Sequence, residues 1–186
     1  MALAPEFNFS LWHGVALLAP MLLARYGIPL LVNPATLRRL NVRPPVEGRA
    51  RLAVPVSVGS EGLLVLYPFF LTIKVGTPWI VAGAPLMVAG AVLIALAALE
   101  FARHDSLLDS GIYRYSRNPM YVGYFLYFVG LGLVTASWLY LLLAVTYQVA
   151  LYWLIRGEER WCLAEYGEPY RRYMQQVRRY AGRRGG

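Results

Sequence analysis

The sequence predicts an all-α integral membrane protein of about five transmembrane helices, with a C-terminal helical hairpin and a cytoplasmic amphipathic tail. Three observations carry that expectation. The 186-residue chain is 58% hydrophobic and only 15% charged, against about 25% charged in an average soluble domain. Its apolar residues fall into runs close to the roughly 20 that a helix needs to cross a ~30 Å hydrocarbon core. Its 18 basic and 10 acidic residues lie mostly between those runs. Disorder, which needs low hydrophobicity and high charge, does not fit. Nor does an ordinary soluble globule, whose surface so few polar groups could not cover. The lone cysteine, Cys162, allows neither an intramolecular disulfide framework nor a multi-cysteine zinc site, and no metal is expected. A net charge of +8 in a soluble chain would suggest nucleic acid. In so apolar a chain it fits cytoplasmic loops, and no nucleic-acid partner is expected.

The spans follow in order. The first runs from about Leu11 to Val32, the second from about Val54 to Ile73, and the third from about Trp79 to Leu99. The last apolar stretch, Pro119 to Ile155, is 37 residues, too long for one ordinary span. Thr135-Ala136-Ser137 breaks it, so it reads as a tight hairpin with arms Pro119–Val134 and Trp138–Ile155. A single long tilted helix is the plainer alternative. A cleaved signal peptide is not expected, because no basic segment precedes the first run. The whole chain, 1–186, reads as a single membrane domain, with three spans in 1–99 and a loop, hairpin and tail in 100–186.

Arginine placement sets the orientation. No Lys or Arg precedes the first span. The loop from Asn33 to Ala53 holds Arg38, Arg39, Arg43, Arg49 and Arg51, the loop from Glu100 to Asn118 holds Arg103, Arg114 and Arg117, and the tail from Arg156 holds eight arginines. The connection between spans two and three has only Lys74, and the hairpin turn has none. The N-terminus is therefore expected outside and the tail in the cytoplasm. Five spans require the same result. The final Arg183-Arg184-Gly185-Gly186 reads as a frayed end.

Two charges fall inside spans, where each costs a few kcal/mol. Arg25 and Glu61 each lie eight residues from the cytoplasmic end of their span, about 12 Å deep at ~1.5 Å per residue. Equal depth on antiparallel helices predicts an ion pair, which either holds two helices in register or lines a polar cavity. His13 lies near the outer face and reads as interfacial.

The polar chemistry is cytoplasmic and falls into two blocks. In the first, residues 104–123, Asn118-Pro119 reads as a helix start: Asn can cap free N–H groups and Pro suits the first helical position. That N-terminus with Arg117 could receive a carboxylate or phosphate, with Tyr113, Tyr115 and Tyr121 around it as aromatic faces for a ring or a sulfonium cation. A tyrosine-rich basic membrane interface would look the same. Gly123 would let another group approach the helix closely. In the second block, residues 156–180, Gly167 reads as a helix stop and Glu168-Pro169 as the next start. Tyr170, Tyr173, Val177 and Tyr180 then form one face of an amphipathic helix on the cytoplasmic membrane surface. Glu158 and Glu159 sit just past the last span. Glu159 shares a helical face with Cys162 and Leu163 and is expected to point inward, while Glu158 shares one with Trp161 toward the interface.

Ser110-Gly111-Ile112-Tyr113, then Arg117-Asn118-Pro119-Met120-Tyr121-Val122-Gly123, a hairpin, Glu158-Glu159 and the Tyr-Gly…Tyr…Tyr…Val…Arg tail together resemble the isoprenylcysteine carboxyl methyltransferases and their phospholipid methyltransferase relatives. These are integral membrane enzymes that use S-adenosylmethionine. The resemblance spans about Glu100 to Tyr180. It implies a cofactor-binding loop and cofactor contacts for Ser106, Leu107, Leu108, Tyr113, Arg117, Asn118, Pro119, Met120, Glu158 and Glu159. It also implies catalytic roles for Arg156, near the end of the active site where lipid enters, and for Glu159. The acceptor would be a lipid or lipid-soluble molecule. Asn118 stands where isoprenylcysteine methyltransferases usually carry His and is closer to the phospholipid enzymes. The proline common after the tail's Val-Arg is absent. A Rossmann-type methyltransferase does not fit, because Gly130-Leu131-Gly132 lies inside a span. The chief rival resemblance is to membrane reductases of the sterol-reductase type, which would use NADPH; they share the Arg-x-Pro-x-Tyr-x-Gly block and the Cys…Tyr-Gly…Tyr tail.

Overall fold

A computed structural model of the chain describes residues 5–41, 45 and 47–183. Arg43 of the basic loop and Arg184-Gly185-Gly186 of the expected frayed end lie outside them. The described residues are helical, with two isolated β-bridges and no strands. Four helical stretches are long and apolar enough to cross a membrane, and a fifth apolar helix is shorter.

The first span is α1 (Leu11–Leu22), a π-helical turn (Leu23–Gly27) and α2 (Ile28–Val32), with the predicted limits. Ser10 caps it by accepting the His13 N–H at 3.2 Å. After the short α3 (Thr36–Asn41) comes α4 (Arg49–Leu66), which closes in a 3₁₀ turn, Tyr67–Phe70. This span starts and stops several residues earlier than predicted. Pro68 is the reason for the early stop: it has no N–H to give the Leu64 carbonyl. The Tyr140 hydroxyl, on a neighbouring helix, donates to that carbonyl instead at 2.8 Å, as an apolar environment requires.

The third span, α5 (Pro78–Arg103), runs four residues past the predicted Leu99. The hairpin follows as α6 (Pro119–Val134) and α7 (Trp138–Tyr166). Its turn is built by Ala136 at φ 49°, by Ser137 N–H donating to Gly132 O at 2.8 Å, and by the Ser137 side chain accepting from Tyr140 N–H at 3.2 Å. The single long helix is thereby excluded. α7 continues eleven residues beyond the predicted Ile155, about 16 Å of further helix. That extension carries Glu158 and Glu159 on a rigid element. Gly167, at φ 59°, ends it, and α8 (Glu168–Gln176) starts where predicted.

α5 and α6 pack closest. A Cβ on Gly90 would lie 2.6 Å from both Gly123 O and Tyr127 N, and one on Gly130 would lie 2.6 Å from Gly83 O. The helices approach almost backbone to backbone, as small residues permit in membranes, and the partner foreseen for Gly123 is α5. α4 packs along α7, and α2 with the π turn packs on α5. Tyr127, Phe128, Leu131 and Tyr140 fill the centre.

The tail departs from expectation. The Tyr170–Tyr173–Val177 face does not lie on the membrane surface; it is buried against Tyr113 and Ala97. The Tyr173 hydroxyl donates to the Tyr113 carbonyl at 2.8 Å, which ties the tail to the loop. The helix ends at Gln176, and Val177 is extended (φ −118°, ψ 135°), so Tyr180 leaves the stripe. Arg183, read as frayed, pairs antiparallel with Val177.

Candidate functional site

The loop after α5 is shaped by Glu100. Ser110 Oγ donates to its carboxylate at 3.0 Å. Gly111 turns at φ +51°, and a Cβ there would fall 2.3 Å from Glu100 Oε1, so only glycine satisfies both the backbone and the contact. From across the membrane face, Arg39 pairs with Asp105 and donates to His104 O at 2.9 Å. The 3₁₀ turn Gly111–Arg114 then buries Tyr113. Burial, with Tyr173 and Glu100 nearby, holds its phenol well above its ordinary 10.0. It is a neutral group.

Arg117 is the centre of a buried cluster. Its Nε and Nη2 donate to Glu159 Oε1 at 3.1 and 2.6 Å. Its Nη1 donates to Met174 O at 3.1 Å and Val177 O at 2.8 Å. Four of its five N–H donors are thus committed. Arg179, which the sequence reading missed, donates to both Glu159 oxygens, closest at 2.6 Å; this carboxylate beside it raises its pKa further above an already high value. The Glu159 side chain is 6% exposed.

This arrangement differs from the one expected. Arg117 is turned toward Glu159 and the tail carbonyls, not held open for an anion at the helix start. Asn118 makes no side-chain cap on α6; its Nδ2 donates to Arg179 O at 3.1 Å. Tyr115 is exposed and is not a wall of the cluster. Glu159 does point inward. Glu158 is half-buried and accepts from the Tyr121 hydroxyl at 3.0 and 3.1 Å.

Of the other predicted residues, Leu107, Leu108 and Met120 pack with Tyr113, Tyr170, Tyr173 and Cys162 in one apolar group. Pro119 is buried at the start of α6. Burial raises the Cys162 thiol to about 11, which disfavours its thiolate form. Ser106 is exposed. Arg156 is exposed and stacks on Tyr152 and Trp153 at 5.7 and 5.6 Å. The structure brings neither Ser106 nor Arg156 into the buried cluster, although Arg179 lies 5.7 Å from the same Tyr152 ring.

Between loop and tail lies a cavity of about 460 Å³, within the range of small-molecule sites. Leu107, Tyr173 and Val177 give it apolar walls, and Arg114, Arg172, Arg183 and Asp109 give it charge. Sequence reasoning assigned no site role to these four charged residues; Arg114 and Arg172 adjoin motif tyrosines, while Asp109 and Arg183 carry no such signal. A second recess, about 540 Å³ and apolar, opens between α4 and α7, lined by Leu52, Val56, Val149 and Trp153 among others. Among the described residues no cluster of His, Cys, Asp and Glu could hold a metal.

The fold and this end of the bundle define a multi-pass membrane protein whose polar groups converge where loop, hairpin and tail meet. Residues 79–169 match the family model described as phospholipid methyltransferase. The matched segment takes in α5, the loop, the hairpin and Glu158-Glu159, and it indicates a membrane methyltransferase. Neither the curated proteins nor the solved structures yield a match.

Proposed function

We propose that the protein transfers a methyl group from S-adenosylmethionine to a lipidic acceptor that reaches the site from the bilayer. The observation that carries this reading is the pairing of two unlike recesses: a charged cavity at the cytoplasmic end and an apolar one opening between α4 and α7. A polar cofactor and a lipid need such different surroundings.

The residues suit the cofactor's parts. Asp109 would hold the ammonium, and one of Arg114, Arg172 and Arg183 the carboxylate. Leu107, Tyr173 and Val177 would cover the adenine. When bound, S-adenosylmethionine supplies a methyl on a sulfonium that leaves as a neutral thioether. The chain's task is alignment and exclusion of water. The Arg117–Glu159–Arg179 cluster fixes the tail over the loop, so these are positioning residues. Glu158, oriented by Tyr121, would accept a proton from the acceptor. The N-terminus lies outside and the site faces the cytoplasm, following the arginine distribution; a reporter fused after Gly186 should be cytoplasmic.

The family match favours this reading over the NADPH-dependent reductase. The test is calorimetry of the purified protein with S-adenosylhomocysteine and with NADPH, followed by incubation of a lipid extract with labelled S-adenosylmethionine and mass spectrometry of the products. Homocysteine-derivative binding and a labelled lipid support the proposal. NADPH binding alone, or no labelled lipid, overturns it.

A further inference from the structure

Arg25 and Glu61 meet in the membrane as predicted, Nη1 to Oε1 at 3.3 Å, but several features set this pair apart from a simple tie between helices. The contact is long, whereas Arg117 and Glu159 close to 2.6 Å. A buried pair stabilises only when its geometry is good and its remaining donors are satisfied. Arg25 Nε is buried with no hydrogen-bond partner. The two side chains remain 18% and 27% exposed. The first span meets the second chiefly where α1 packs on the 3₁₀ turn Tyr67–Phe70; the π turn and α2 lie instead on α5, and α4 lies along α7. The pair therefore bridges helices whose main packing partners at that level lie elsewhere.

The backbone under Arg25 is the π-helical turn Leu23–Gly27. Such a turn re-aims side chains and is frequent at functional sites. The guanidinium lies 5.0 and 5.3 Å from the Tyr26 and Tyr124 rings. Tyr124 is one turn from Tyr121 on α6, with ring centroids 6.5 Å apart, and Tyr121 donates to Glu158. A row of aromatic side chains thus leads from Arg25 to the carboxylate assigned above as proton acceptor.

We propose that Arg25 reads the acceptor: its guanidinium takes an anionic oxygen, carboxylate or phosphate, of an amphiphile from the bilayer, and Glu61 holds the guanidinium in its absence. The place of this contact in a reaction rests on the methyl-transfer reading; the binding itself does not. Glu61 then competes with the ligand, so the two charges have opposite effects on binding, which a structural pair would not show.

The experiment uses the full chain in uncharged detergent, with palmitate, dodecyl phosphate and dodecanol as probes and S-adenosylhomocysteine as the control for the cofactor site. Expected is tighter binding of the anionic probes than of dodecanol, with the stronger of the two anions naming the source. Arg25→Gln should lose about tenfold or more of that binding, the worth of a charged hydrogen bond. Glu61→Gln should strengthen it, and homocysteine-derivative affinity should be unchanged in both. Anionic probes bound no better than dodecanol, or Glu61→Gln leaving anion affinity unchanged or weaker, overturn the proposal. Glu61→Gln carries the test even if Arg25→Gln does not fold. Failure of S-adenosylhomocysteine to bind would instead sink the methyl-transfer reading and leave anion recognition standing.

Discussion

Arg117 and Glu159 are 42 residues apart in sequence and 2.6 Å apart in space, with 3% and 6% of their side chains exposed. Arg117 precedes α6, Glu159 lies on α7 beyond its membrane-spanning part, and the carbonyls that Arg117 also holds belong to the tail. Through Arg117, this ion pair thus joins α7 to the loop and the tail, the two segments that line the charged cavity.

Removing Glu159 should strand Arg117, whereas removing Arg117 leaves Glu159 its bonds to Arg179. Glu159→Gln should destabilise the protein by about 3–5 kcal/mol and Arg117→Ala by less, and the double replacement Arg117→Met with Glu159→Leu should recover part of the Glu159→Gln loss. Thermal melts of the four proteins in one detergent check this. Equal melting temperatures would show that the pair contributes nothing.

Glu158 should behave differently from its neighbour. Glu158→Gln should keep the melting temperature near that of the parent yet slow single-turnover methyl transfer by about 10²-fold, the lower range for general base catalysis. Tyr121→Phe should reproduce a smaller part of the loss. Full activity in Glu158→Gln would remove this carboxylate from the chemistry.

The contact between α5 and α6 leaves no space for a methyl group. A Gly90→Ala side chain would meet backbone of α6 at 2.6 Å, and the helices would have to separate, at a cost of about 1–3 kcal/mol. Gly62→Ala, where nothing lies within 4 Å of the added carbon, should be neutral or slightly stabilising. Melting both variants decides whether close approach or glycine content matters.

Alkali should loosen the tail. Burial raises the Tyr113 and Tyr173 phenols well above their ordinary 10.0. A raised folded-state pKa contributes stability that is complete below the unfolded value and lost as pH rises toward the folded one. Stability should hold to about pH 9 and fall above about pH 10. Tyr173→Phe should start about 1 kcal/mol lower and fall less steeply, measured by denaturation between pH 8 and 11.

The apolar runs by themselves determined the membrane architecture. A backbone in lipid must bond to itself, so about 20 apolar residues can do little but form a helix. Hence Leu11–Val32, Pro119–Val134 and the Gly167 stop are legible residue by residue, because Pro, Gly and Ser act locally on the backbone. The equal depth of Arg25 and Glu61 was legible for the same reason: a fixed rise per residue converts sequence distance into depth. Which side chains meet across the site was not. Arg117 could have faced an anion or a glutamate, and the α8 tyrosines could have faced lipid or protein. Those choices depend on contacts between segments about 60 residues apart, such as Tyr173 with Tyr113 and Arg117 with Val177. Only the tertiary structure decided them, because a charged or aromatic side chain takes whichever partner satisfies it best, and sequence spacing shows only the partners within its own helix.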